Sequence, residues 1–477
     1  MLFRNFLLTV CLYASFTSYS QADYAVLSND AVLEQQFLSS LQSRYEKDLG
    51  GLTGKNKKYL AEIYKERLQY IKEYQEAKAV LTHKETHEYL QRLANAILSR
   101  NSFLTRNEPL RIYFLRSHWA NAASMGEGTI FFNTGLFHRL ENEAQAAFVL
   151  AHELAHYYLD HSNHNINHYV ETIYSDAFQK ELKSLSKTEY NRNSQLEKMA
   201  LTLSFKNRRH SRENEQAADS LAIVLMKNTG FDLYEAVNCL AILDQSDKEK
   251  YQSALQLDQV FHFEAFPFKK KWLQSNSLAF AVSSDEEKKN KALADSLKTH
   301  PDCATRIERV KAIIQGSAPG KKYLVDEKKF NELVAGFDYE ILEHLFNSRK
   351  LSRCLYLALQ LHQAKPQPYT AALVGKCLNG LYAAQKNHEL GRVADLPNPE
   401  FDEDYNQLLR LIQNVRLSEL AALSYHFLEQ QSGSAIQSEE FLAALITSKE
   451  LFGKPEEKQQ WVNYYQKNFS KRKYNFN

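Results

Sequence analysis

Apolar residues recur at helical spacing over most of the chain. Between residues 59 and 70, for example, they repeat every three or four positions among charged residues, which predicts an amphipathic helix. The same spacing over 341–361 and 369–384 predicts two further helices, separated by the two prolines of 365–368. This alternation continues to the end of the chain, so we predict helix hairpins without strands in residues 324–477.

Strand-type patterns are concentrated in the middle of the chain. Arg111–Leu115 and Thr129–Phe132 are dense in β-branched and aromatic residues, and Gly126 and Gly128 between them mark a turn. We therefore predict a mainly α, α+β protein in which a small β-sheet lies beside a helical core.

The strongest chemical motif is His152-Glu153-x-x-His156, inside the apolar stretch 146–159. In a helix the two histidines lie one turn apart on the same face, so both imidazoles can bind one metal ion. Glu153 is then placed to act as a general base toward a metal-bound water. Titratable groups inside an apolar helix are costly unless they are paired or bind metal, which favours the metal interpretation over a polar surface helix.

A second helix beginning near residue 211 offers a third ligand. Glu215 and Asp219 are four residues apart and share a face that continues into apolar residues, whereas Glu213 lies off that face. This favours Glu215 as the third ligand and Asp219 as the acceptor for the other N–H of a ligand histidine. The alternative is a solvated acidic helix start.

HExxH followed by Ser211-Arg212-x-x-Glu215-x-x-Ala218-Asp219 resembles the zinc metallopeptidases of family 48, a gluzincin group. The resemblance covers roughly residues 80–315 and implies a zincin-type peptidase domain that hydrolyses peptide bonds. It also implies one Zn²⁺ per chain, bound by His152, His156 and Glu215. Glu153 would then be the general base, and Asp219 the carboxylate that supports a ligand histidine.

Two further stretches are similar to the same family. The stretch 121–136 resembles a segment that forms an extended edge strand and pairs with the substrate backbone, so the resemblance implies substrate binding by Asn121, Ala122, Ala123, Ser124 and Met125. Thr299–Ile307 resembles a His-Pro segment at the cleft, which implies that His300 and Arg306 stabilise the oxyanion or that His300 silences the metal. The alternative is that His300 and Pro301 only cap a helix beginning near Asp302.

The N-terminus reads as a secretory signal at residues 1–22. Arg4 precedes a short apolar core at 6–16, and small residues follow at the cleavage site before Asp23. An uncleaved anchor is the alternative, but the core is shorter than the ~20 residues of a spanning helix. We expect a periplasmic or otherwise extracytoplasmic protein, soluble or peripherally membrane-associated, whose mature chain has no transmembrane segment.

A net charge of +2 gives no general attraction to nucleic acid. In an oxidising compartment Cys354 and Cys377 could bridge two successive helices, although unpaired buried thiols are an equal alternative. The histidine-rich run 161–168 favours an exposed turn over a second metal site.

We divide the chain into four regions, with a linker at 317–322. They are the signal peptide (1–22), N-terminal helices packing on the peptidase (23–101), the peptidase domain (102–316) and a helical C-terminal domain (324–477). The paired helices of the last region suggest a tetratricopeptide-like array that binds partner proteins, although a plain helical cap fits nearly as well. A peptidase followed by such an array resembles the BepA-like periplasmic branch of the family.

The sequence thus predicts a secreted or periplasmic zinc metalloendopeptidase whose substrates are polypeptides, in particular unfolded or misassembled envelope proteins. Envelope partners would bind through the C-terminal helices. The alternative function is a chaperone or scaffold of the envelope with latent or secondary protease activity.

Overall fold

The computed structural model describes residues 24–104, 108–186, 212–246, 254–274, 303–399, 401–469 and 473–476 of the 477-residue chain. The predicted signal peptide and His300 lie outside these ranges. Within them, no helix is both long enough and apolar enough to span a bilayer.

The described fold is mainly helical, with one small sheet, which confirms the predicted α+β class. The strands are β1 (Val80–Leu81), β2 (Arg111–Leu115), β3 (Ala122–Ser124) and β4 (Thr129–Asn133). The first helices are α1 (Ala31–Gly51), α2 (Lys57–Glu76), α3 (Lys84–Leu98), α4 (Thr134–Phe137), α5 (Glu143–Tyr158), α6 (His161–Ile173), α7 (Asp176–Ser186), α8 (212–227), α9 (Tyr234–Asp244) and α10 (Leu257–Val260). After a 3₁₀ turn (Lys270–Leu273) follow α11 (Cys303–Ile314), α12 (Glu327–Asn347), α13 (Leu351–Ala364), α14 (Pro368–Lys386), α15 (Leu390–Val393), α16 (Glu403–Asn414), α17 (Leu417–Ala435), α18 (Glu439–Leu451) and α19 (Pro455–Asn468).

The sheet has the strand order β1-β2-β4-β3, so β3 lies at one edge. β2 and β4 are parallel, and β3 runs antiparallel to β4 with Ala123 opposite Phe131. Helices cover both faces of the sheet. Ile112 and Phe114 alternate with Tyr113 along β2, and they pack toward α3 and α5 while Tyr113 packs toward α1 and α2. This explains the continuous apolar runs of β2 and β4, because a strand that is covered on both faces has no polar side.

Some main-chain groups of β3 form hydrogen bonds with β4, and others point toward the edge of the sheet. The amide of Asn133 donates to the carbonyl of Asn121 (3.0 Å), and the amide of Met125 donates to the carbonyl of Thr129 (2.8 Å). Because antiparallel pairing alternates, the main-chain groups of Ala122 and Ser124 point away from β4. The edge is therefore oriented to pair with a further strand at these two residues.

A second large core lies among the C-terminal helices, and part of it comes from earlier in the chain. Leu257, Phe261 and Trp272 are buried there with α13, α14 and α17. The indole of Trp272 donates to Glu419 (3.2 Å), which also pairs with Lys269 (2.8 Å). Residues 254–274 were predicted within the peptidase region, yet their side chains pack on the C-terminal helices and tie the two regions together.

A buried carboxylate also joins the two regions. Glu340 of α12 is fully buried and accepts hydrogen bonds from the guanidinium of Arg116 (2.7 Å) and the amide of Leu27 (2.8 Å). Tyr24 donates to the same carboxylate and stacks on Tyr339. The start of the described chain is thus anchored where β2 meets α12. Cys354 and Cys377, considered above as a disulfide, are free buried thiols.

The N-terminus of α5 is fixed by a second buried carboxylate, Glu235 of α9. Its carboxylate accepts hydrogen bonds from the side-chain amides of Asn142 (2.9 Å) and Gln145 (2.8 Å), and it pairs with Lys322 (2.9 Å). Asn142 in turn caps α5 by accepting the amide hydrogen of Gln145. Burial alone would raise the pKa of Glu235, but these donors lower it to about 2.

We expect Glu235→Gln to reduce the free energy of unfolding at pH 7 by about 1–3 kcal/mol, because buried donors lose their ionised acceptor. A depressed pKa stabilises the fold above the unfolded value of 4.5, and this contribution disappears as the pH falls toward 2. Urea unfolding at pH 7 and pH 3 should therefore show a smaller difference from wild type at pH 3. Glu308→Gln, an exposed carboxylate on α11, is the control; equal losses in both variants would contradict the role of Glu235.

Candidate metal centre

The candidate metal centre is built on α5, which is buried along almost its whole length. Five alanines on this helix let its neighbours pack closely, and the site side chains are buried with it: His152 is 4% exposed and Glu153 3%. His156 lies one turn after His152 and is slightly more open, with 13% of its side chain exposed. α5 therefore carries three buried polar residues in apolar surroundings.

Helix α8 brings Glu215 to the two histidines. The Nε2 atoms of His152 and His156 are 3.0 Å apart, and the carboxylate oxygens of Glu215 lie 3.4 Å and 3.2 Å from them. These three residues form a group able to hold one metal ion. Two nitrogens and a carboxylate around a tetrahedral ion, at bond lengths of about 2.0–2.1 Å, lie about 3.3 Å from one another. The spacing of the ligand atoms therefore fits zinc.

Asp219 and Arg306 contact the same cluster and are themselves paired. The carboxylate of Asp219 lies 2.9 Å from Nδ1 of His152 and accepts two hydrogen bonds from Arg306, at 2.7 and 2.8 Å. Nη1 of Arg306 also lies 3.2 Å from Glu215. Arg306 is 4% exposed, and its guanidinium pairs with the carboxylates of Asp219 and Glu215. The structure thus brings Arg306 to the centre as a partner of Asp219 and Glu215.

The charges in this network shift the pKa values of its members. Burial would lower the pKa of His152, but hydrogen bonds with Asp219 and Glu215 raise it to about 9. Burial would likewise raise the pKa of Asp219, which hydrogen bonds from Arg306 and His152 lower to about 2. Asp219 is therefore ionised over the physiological range and can orient the imidazole of His152.

His156, the second histidine of the candidate site, has a neighbour that the sequence did not identify. Nδ1 of His156 lies 2.9 Å from Nδ1 of His161, and the two rings are nearly perpendicular. His161 is the first residue of α6 and is 7% exposed. Burial, and then the charge of His156, lower the pKa of His161 to about 4, so that it is neutral at pH 7. The run 161–168 was interpreted as an exposed turn; it lies in helix α6, and its first histidine, His161, is buried beside His156.

The predicted substrate strand lies next to this centre. β3 packs against α5, and the start of α6 contacts its far end, where the hydroxyl of Ser162 donates to the carbonyl of Ser124 (3.2 Å). Asn163 donates to the carbonyl of Gly126 (3.4 Å) and Arg67 of α2 to that of Met125 (3.3 Å). These side chains contact the carbonyls of Ser124, Met125 and Gly126. They do not contact the outward main-chain groups of Ala122 or the amide of Ser124, which lie further along the same edge.

The fold is mainly helical, with a small sheet beside a buried HExxH helix and a glutamate from a second helix. This combination is typical of the metal-dependent hydrolases called zincins. The model of peptidase family M48 matches residues 82–314 of the chain. The match indicates a metallopeptidase. A comparison of the chain with curated proteins finds no match.

Proposed function

We propose that the chain is an extracytoplasmic zinc metalloendopeptidase whose metal is held by His152, His156 and Glu215. The convergence of these three side chains on one buried point, at the spacing of zinc ligands, carries the proposal. The family match supports it, because the matched residues 82–314 include all three. Bound zinc would lower the pKa of a water ligand and polarise the substrate carbonyl.

The protein residues would then act in three roles. Glu153, beside the first ligand, takes the proton of the attacking water and passes it to the leaving nitrogen. Asp219 holds the imidazole of His152 in the orientation that presents Nε2. His300 is proposed to donate to the oxyanion, whereas Arg306 is assigned a positioning role because its contacts are to Asp219 and Glu215.

The substrate would bind as an extended strand along β3. Main-chain hydrogen bonds to Ala122 and Ser124 hold a peptide without reading its side chains, which suits a peptidase of unfolded chains. Asn121, Ala123 and Met125 contribute by holding β3 against β4. From the predicted signal peptide we infer that the substrates are unfolded or misassembled envelope proteins in the periplasm.

The test is the zinc content and proteolytic activity of the purified protein. We expect one zinc per chain, digestion of unfolded casein, loss of digestion after chelation, and recovery on adding zinc. Protein that binds no zinc, or that leaves casein intact when loaded, would refute the proposal.

We expect His156→Ala to weaken zinc binding by at least about 100-fold and to abolish casein cleavage, because only two of three ligands remain. Chelator competition measures the affinity, and a fluorescent casein assay measures the activity. His164→Ala, an exposed histidine on α6, should leave both unchanged. Wild-type affinity in His156→Ala would remove this residue from the ligand set.

A second candidate function is that of a chaperone with secondary protease activity. It is favoured by the second large apolar core, which consists mainly of C-terminal helices beyond the family match together with Leu257, Phe261 and Trp272 from within it. In BepA-like fashion, these helices would bind envelope partners. Suppression of casein aggregation by the wild-type protein, without any cleavage, would favour this function over the first.

A further inference from the structure

The chain leaves α5 and enters α6 through a single tight turn. Asp160 has φ 60°, a left-handed conformation that is uncommon for non-glycine residues but that aspartate tolerates better than most. Its side chain accepts a hydrogen bond from Asn163 (2.7 Å), and its carbonyl accepts the amide hydrogen of His164 (3.0 Å). This turn directs the first side chain of α6, that of His161, back toward α5.

His161 is held at that position from the other side as well. Ser162, its neighbour, is anchored on the carbonyl of Ser124 in β3 (3.2 Å), and His161 itself is 7% exposed. Since both flanking residues are fixed, the imidazole of His161 has a set position 2.9 Å from Nδ1 of His156. The backbone on both sides of His161 therefore fixes this contact, unlike a contact made by a mobile surface side chain.

The chemistry of a metal ligand fixes which of these two nitrogens carries the hydrogen. An imidazole that binds a metal through Nε2 keeps its proton on Nδ1, where it needs an acceptor. Asp219 provides this acceptor for His152 at 2.9 Å. Nδ1 of His161 occupies the equivalent position for His156, so His161 must carry its own proton on Nε2.

We infer that His161 is a positioning residue of the metal centre, which orients His156 by accepting its Nδ1–H. The two ligand histidines are thus supported differently, His152 by a carboxylate and His156 by a second imidazole. The first turn of α6 would also link the metal ligands to the substrate strand, because His161 and Ser162 contact one each. This inference rests on the proposed zinc site.

The test compares His161→Phe, which keeps a ring but has no acceptor, with His161→Gln, whose carbonyl oxygen can still accept a hydrogen bond. We expect His161→Phe to weaken zinc binding about 10–100-fold by chelator competition, and His161→Gln to recover most of that loss. The visible spectrum of the Co²⁺-loaded protein should shift in His161→Phe, because the orientation of one ligand changes. His164→Phe, an exposed histidine one turn along α6, is the control.

A measurement on the unaltered protein guards against a variant that fails to fold. In ¹⁵N-histidine NMR spectra of the zinc-loaded wild type, His161 should have its proton on Nε2 and His156 on Nδ1. The opposite tautomer of His161, or wild-type zinc affinity in a folded His161→Phe, overturns the inference. Zinc binding and casein cleavage by the wild type itself test the proposed function, so the two failures are distinguishable.

Discussion

Glu153→Gln is expected to bind zinc as tightly as the wild type while cleaving casein about 10²–10⁴-fold more slowly. The substitution keeps the size and the hydrogen-bonding oxygen of the side chain, and Glu153 is not among the three metal-binding residues. An amide cannot take up the proton of the attacking water, so the bond-making step loses its base. Chelator competition measures zinc affinity, and the initial rate of casein cleavage measures catalysis.

The matched control for this prediction is Glu141→Gln, an exposed carboxylate just before α5. It should behave as the wild type in both assays. Cleavage by Glu153→Gln at the wild-type rate would show that another group accepts the proton. If the prediction holds, the variant should retain uncleaved substrate, and the proteins that co-purify with it from cells would identify the natural targets.

The described sheet agrees closely with the sequence pattern where strands are long. Both dense apolar runs are strands, over Arg111–Leu115 and Thr129–Asn133. The expected edge strand is present over Ala122–Ser124, whereas β1 was not predicted. β1 contains only Val80 and Leu81, and two residues are too few for a periodic pattern.

The hydrophobic pattern of the sequence was less informative where the chain turns without a glycine, asparagine or proline to indicate it. Residues 341–361 were predicted as one helix, but α12 ends at Asn347 and α13 begins at Leu351. The break passes through Arg349, which has φ 56°, where glycine or asparagine is the usual signal. By contrast, the prolines at 365–368 mark the next helix boundary correctly, since α14 begins at Pro368.

In the candidate site, local spacing was sufficient for the residues that share a helix. The pairs His152/His156 and Glu215/Asp219 each lie one turn apart, and the structure places the two helices so that both pairs meet. The contacts of His161 and Arg306 could not be predicted in this way. They depend on the left-handed turn at Asp160 and on the approach of α11 to α8 where Arg306 contacts Asp219, which are properties of the folded chain.

The charge balance of the site predicts that loss of Arg306 destabilises the metal-free protein. Its guanidinium is a buried cation beside the carboxylates of Asp219 and Glu215, which are 4% and 5% exposed. Removing one partner of a buried ion pair leaves charge uncompensated and costs about 3–5 kcal/mol. Zinc brings two positive charges to the same carboxylates, so the metal should compensate for much of the loss.

We therefore expect Arg306→Met to lower the unfolding free energy of the metal-free protein by about 3–5 kcal/mol, and that of the zinc-loaded protein by clearly less. Urea unfolding with chelator and with excess zinc measures both values, and Arg309→Met, an exposed arginine on α11, is the control. An oxyanion role would give a different result, namely unchanged stability in both states with a lower kcat. If the metal-free variant is as stable as the control, Arg306 does not balance these carboxylates, and the role implied by the family resemblance becomes the better explanation.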